Sequence, residues 1–262
     1  MTGLERLAAQ RKHTLFFLRF ARASSPVFLD TDVDMTRISE HRRRANANGQ
    51  HYSVVSYVIG AAARVLARHS YANCAIGSGL HPRVLTYTSV DAKLALDKWI
   101  GNQRVVVAGL ITGAHVSSLG AIQAEVDRYK SHAVEDLPEF HGIRLLHRLP
   151  AWLGWLAFSM RVHRLSTRSR YLGTFSISSL GHRPVNGFHA IGGTAVVLNL
   201  GQVRDSAVVR QGHVTVAPLM RLNMTFDHRL IDGALAADLL TEVKVALECG
   251  SGLEVDAEEH VP

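Results

Sequence analysis

Thr225-Phe226-Asp227-His228-Arg229-Leu230-Ile231-Asp232-Gly233-Ala234 is the stretch from which the rest of the chain can be ordered. Before it, residues 221–226 have the composition of a strand. After it, residues 232–248 carry a helical apolar pattern and close the chain apart from a polar tail. A histidine between a strand and a helix is held by a rigid scaffold and presented to whatever lies beyond it. An imidazole titrating near neutrality suits a general base. Asp232 lies four residues on and is placed to cap the following helix. Gly233 allows a sharp turn or a close backbone approach. The competing reading is a histidine satisfied by packing, one of fifteen in the chain.

A second segment, Gly173-Thr174-Phe175-Ser176-Ile177-Ser178-Ser179-Leu180-Gly181, reads as a strand. Alternation puts Ser176 and Ser178 on one face and Phe175 and Ile177 on the other. A serine hydroxyl on such a face can donate to a developing oxyanion. Alone, a serine-rich strand end is more often a turn.

Further out, residues 1–23 predict a basic helix, broken by Ser24-Ser25-Pro26. Residues 27–34 predict a strand with one polar face, and 35–46 a helix carrying Arg42-Arg43-Arg44. Residues 53–69 predict a buried, alanine-rich helix. Strands are expected at 84–87, at 90–96 and at 104–110, the last buried on both faces because Val105-Val106-Val107-Ala108 does not alternate. An amphipathic helix follows at 119–132. Five short strands are expected at 173–180, 195–200, 207–209, 213–216 and 221–226, with a turn at Gln211-Gly212. Helices and strands in mixed order predict an α+β fold with a mixed central sheet. Residues 1–250 then form one domain and 251–262 a polar tail.

The composition narrows the function. A chain of 262 residues, 47% hydrophobic and 19% charged, is neither disordered nor in need of staples. Its two cysteines, Cys74 and Cys249, give neither a disulfide framework nor a metal-ligand spacing. A net charge of +7 suits an anionic partner or a basic solvated surface. The N-terminus carries no secretory pattern, and no apolar run is long enough to span a bilayer, so a cytoplasmic protein is expected.

Together the two motifs resemble those of the catalytic domain of the dihydrolipoyl acyltransferases, the cores of the 2-oxoacid dehydrogenase complexes, which are similar in fold to chloramphenicol acetyltransferase. The carriers are His228 with Asp232-Gly233, the 173–181 motif, and the fifty-residue spacing from Ser178 to His228. Arg11-Lys12, Pro26, Val33-Asp34-Met35-Thr36 and the helix at 53–69 follow the family's order. The resemblance covers about residues 10–132 and 173–248. It implies an acyltransferase in which His228 takes the proton from a thiol and Ser178 donates to the oxyanion. Asp232 would be structural support paired with Arg11. It also implies coenzyme A as co-substrate with no tightly bound cofactor, and an acyl-coenzyme A or acyl-carrier partner. The expected assembly is a homotrimer, or a cage of trimers, with sites between subunits. The absence of lipoyl and subunit-binding domains, Phe16-Phe17-Leu18 in place of the family's Arg before Met, and Leu96–Asn102 in place of its Asp-x-x-x-Gly-Leu turn, suggest a stand-alone enzyme.

Residues 133–172 fall outside the resemblance. Between His141 and Arg170 stand six arginines and no acid. Leu145, Leu146 and Leu149 form one helical cluster. Pro150 is expected to open a second helix with a stripe of Trp152, Trp155, Leu156 and Met160. Such a basic amphipathic helix suits an anionic membrane surface, the protein's own body or a neighbouring subunit, or the lining of a pocket for a long acyl chain. Two other readings compete with the enzyme: a non-catalytic trimeric scaffold of the same fold, and a nucleic-acid module suggested by charge alone. No recognition motif accompanies the arginine run, so no nucleic-acid partner is expected.

Overall fold

The computed structural model describes residues 7–78 and 80–250. The N-terminal segment forms α1 (Lys12–Ala21), β1 (Pro26–Asp34), α2 (Thr36–Ala47) and α3 (Val54–Arg68). Then come β2 (Cys74–Ile76), β3 (Val84–Thr86), β4 (Ala92–Ile100), β5 (Gln103–Ile111) and α4 (Leu119–Ser131). The middle segment is helical: α5 (His141–Arg148), α6 (Ala151–His163) and α7 (Leu165–Leu172). β6 (Phe175–Ser179), β7 (Val196–Arg210), β8 (His213–Asp227) and α8 (Gly233–Glu248) complete the chain. Residues 1–6 of the expected first helix and the tail at 251–262 lie outside the described residues.

Six strands form one sheet in the order β1-β8-β7-β6-β4-β5, with β6 parallel to both β4 and β7 and the other pairs antiparallel. The mixed sheet is therefore as expected. One face packs against α2, α3, α4 and α8, burying Ile38, Val58, Ile59, Ile122, Leu239 and Val243 against Phe175, Leu198 and Phe226. The alanines of α3 let it lie close to its neighbours. Its N-terminus is closed by the Ser53 hydroxyl, which accepts from Ser56 N–H at 3.4 Å.

Three expectations need correcting. The four stretches at 195–200, 207–209, 213–216 and 221–226 are two fifteen-residue strands of a single hairpin. They turn at Gln211-Gly212, where both residues have positive φ (51° and 81°). Only one face of β5 is covered, so its burial alternates: Val105 and Val107 are buried and Val106 is exposed. Pro150 precedes α6 as its cap instead of opening it, and a third helix, α7, follows in the insert.

Two glycines fix the site strand. Gly173 ends α7 with φ +63°, and a Cβ there would meet Asp91 O at 2.7 Å. Gly201 lies at the bulge in β7, where a Cβ would overlap the Asn186 carbonyl of the crossing loop.

Candidate active site between strand ends

β8 ends at Asp227, whose carboxylate is 7% exposed and organises the loop that follows. It accepts from Ser25 N–H (3.2 Å), Arg229 N–H (3.2 Å) and the Arg229 guanidinium (Nε 2.9 Å, Nη2 2.5 Å). Burial alone would raise this carboxyl group, but the Arg229 guanidinium and the two N–H donors hold it below the ordinary range. His228 N–H donates to Ser25 O at 2.9 Å, and Ile231 is buried beneath the turn.

The His228 side chain stands out from this loop, half exposed, with its ring 5.7 Å from that of Phe226. Its Nδ1 is 3.6 Å from Asp232 Oδ1, within ion-pair range but too long for a hydrogen bond. Nε2 has no partner among the described residues. Asp232 occupies the cap position of α8 without a side-chain cap bond, and its carboxylate is largely exposed. The pairing expected between Asp232 and Arg11 is absent within the chain. Arg11 is exposed and forms no ion pair among the described residues. Gly233 has no positive φ, and a Cβ there would meet nothing within 4 Å, so the close approach expected of it is not what places it.

Ser178 lies on the sheet face opposite the helices, as alternation predicts: Phe175 and Ile177 are in the core, whereas Ser176 and Ser178 point away. In register with Ser178 across the sheet stand Asn199, Asn223 and Asp30. This polar row was not anticipated from the sequence, where single asparagines in two strands carry no periodic signal. Asn199 is fully buried with neither amide atom hydrogen-bonded, and the Thr225 hydroxyl is likewise unsatisfied. Below the row, Lys93 is wholly buried, donates to Gly192 O and lies over the Phe17 ring at 4.7 Å. Burial pushes its ammonium down to about 7.

His228 and Ser178 do not meet within one chain. His228 lies five residues beyond Asn223 on β8, and Ser178 two strands away from it. At ~3.3 Å per residue and ~4.8 Å per strand, their backbones are on the order of 15–20 Å apart.

The family of 2-oxoacid dehydrogenase acyltransferases (catalytic domain) matches residues 155–253, the segment that contains both motifs. That match spans 99 of the 262 residues. The acetyltransferase component of the Schizosaccharomyces pombe mitochondrial pyruvate dehydrogenase complex is 38% identical over 93 residues, 34% of this chain and 19% of that protein. The chain covers 11% to 22% of the length of the curated relatives it matches. Among solved structures, the cubic core of the pyruvate dehydrogenase multienzyme complex is similar with a TM-score of 0.71 at 18% identity, over 96% of this chain and 94% of that one. The Azotobacter vinelandii dihydrolipoamide acetyltransferase is similar with a TM-score of 0.73 at 18% identity, over 97% and 94%. That work concerns the role of a serine, a histidine and an asparagine in its catalytic mechanism. The fold of the acyltransferase cores thus extends over nearly the whole chain, including the N-terminal half outside the family match.

The insert is placed too. Trp155 and Phe158 of α6 pack on Phe16 of α1, with ring centroids 6.0 and 6.2 Å apart, so the tryptophan stripe is split. Trp152, Leu156 and Met160 remain exposed. The insert's main apolar contact is with its own chain, and nothing in this arrangement supports the membrane-surface reading. No helix among the described residues is long and apolar enough to cross a membrane.

Proposed function

We propose that the protein is an acyltransferase that moves an acyl group between a thioester, of coenzyme A or of a carrier, and a thiol, hydroxyl or amine acceptor. The observation that carries this reading is the state of His228: on a pinned strand end, Asp232 near one ring nitrogen, the other nitrogen free. Asp232 favours the tautomer with the proton on Nδ1, which leaves Nε2 as the acceptor. With a thiol, the forward step runs as follows. Nε2 takes the S–H proton, the thiolate attacks the thioester carbonyl, and the carbonyl π electrons move onto oxygen. The Ser178 hydroxyl donates to that oxyanion. When the intermediate collapses, the C–S bond of the starting thioester breaks, and the thiolate it releases takes the proton from the imidazolium. Atoms, charge and protons balance with no further reactant.

The separation of His228 from Ser178 supports a site that takes its histidine from one subunit and its serine from the next, as at each boundary of the homotrimer that the resemblance implies. The test of the activity is a panel of acyl-coenzyme A donors followed by thiol release. His228→Ala should lower turnover by about two to four orders of magnitude. Equal rates in the variant and the native chain would remove the reading.

A further inference from the structure

Behind the His228 loop lies an open cavity of about 520 Å³, counting its mouth. Phe20, Ile76 and Leu230 are its large apolar lining residues, and Asp227 and Arg229 reach it from the loop. The insert contributes Arg168. That side chain is 6% exposed, and its Nε and Nη1 donate to Val162 O (2.6 Å) and Ile76 O (2.8 Å). Nη2 has no partner among the described residues, and no carboxylate pairs with this guanidinium. Arg229 adds positive charge, but Asp227 already neutralises it.

A buried charge without a counter-charge is costly, and an anion arriving beside it is correspondingly favoured. Guanidinium groups recognise carboxylates through paired N–H donors. The mainly apolar wall selects an aliphatic ligand over a strongly hydrated inorganic one. The geometry points to this cavity as a binding site for a small aliphatic carboxylate, its charge read by Arg168 and its chain by the wall around Phe20 and Leu230. The site is separate from the thiol and thioester chemistry of His228.

Isothermal titration of the whole chain tests this with butyrate, its neutral analogue butyramide, and inorganic phosphate. Butyrate should bind saturably at one site per chain. Butyramide should bind at least tenfold more weakly, and phosphate at least threefold more weakly. Arg168→Gln should weaken butyrate at least tenfold. Because Arg168 also ties backbone carbonyls, Ala23→Phe provides a second variant. It lies on the exposed rim, leaves those bonds intact and fills the mouth, and it should weaken butyrate to the same degree. His228→Ala should bind butyrate like the native chain, so failure of this site is distinguishable from failure of the acyl-transfer reading. Absence of saturable butyrate binding, butyramide binding equally well, phosphate binding more tightly, or Ala23→Phe binding like the native chain would each overturn the assignment.

Discussion

The loop after β8 is tied by a buried carboxylate that gathers N–H groups from Ser25 and Arg229, by a backbone bond from His228 to Ser25, and by Ile231 in the core. The insert of α5 to α7 leans on α1 mainly through half-buried rings and a few long side chains: Trp155 and Phe158 on Phe16, and Lys12 donating to His147 O (3.0 Å) and Leu149 O (2.8 Å). A short loop fixed by directional bonds holds one side chain in one place, as proton transfer requires. A helical layer held by ring contacts tolerates adjustment and is suited to shaping a cavity. Substitutions in the loop should therefore abolish function or fold, whereas those in the insert should shift stability by modest amounts.

The largest expected effect is on turnover. Ser178→Ala should reduce it by about two to three orders of magnitude with thermal melting essentially unchanged, since the hydroxyl holds no hydrogen bond among the described residues. A matching loss of melting temperature would mean that the serine is structural. Next, Asp227→Ala leaves Arg229 and the Ser25 N–H without their acceptor and should cost ~3 kcal/mol in urea unfolding. A cost below 1 kcal/mol would erase the contrast between loop and insert. Within the insert, Gly154→Val places a Cβ 3.0 Å from the Phe16 ring. It should cost ~2 kcal/mol by pushing α6 from α1, with turnover altered less than tenfold.

The smallest effect concerns acid. Burial, with His13 and Lys12 adding to it, pushes the His147 imidazole down from 6.5 to about 4. The unfolded chain takes up a proton below pH 6.5 that the folded one refuses until about pH 4. Stability from this group is therefore complete above pH 6.5 and is lost as pH falls toward 4. Because His147 is partly exposed, solvent screening reduces the effect. His147→Gln should flatten part of the fall in melting temperature over that window, and an identical pH profile would contradict it.

The sequence reveals the site more readily than the long strands. The His228 motif and the alternation of Ser176 and Ser178 are short-range signals, and both are retained in the fold. The hairpin of β7 and β8 is harder to read because a bulge at Gly201-Gln202 and Pro218 interrupt its pattern, and its far end is exposed on both faces. The burial of β5 depends on which face of the sheet is covered, which its unbroken valine run does not encode. Arg168 looks like one more member of a solvated basic run, since nothing local reveals that Val162 and Ile76 carbonyls will enclose it. The capping role of Asp232 fails too: its carboxylate makes no bond to the N–H groups of the first turn and lies 3.6 Å from His228 Nδ1.

The central claim, that each site is shared between two copies of the chain, is tested most directly by mixing two inactive variants. His228→Ala and Ser178→Ala are co-expressed in equal amounts, and acyl transfer is compared with each variant alone. In a ring of three, a boundary is active when an intact His228 faces an intact Ser178, so random mixing should restore about a quarter of native turnover. Activity no higher than that of the separate variants, in a mixture shown to contain hybrid trimers, would contradict the account.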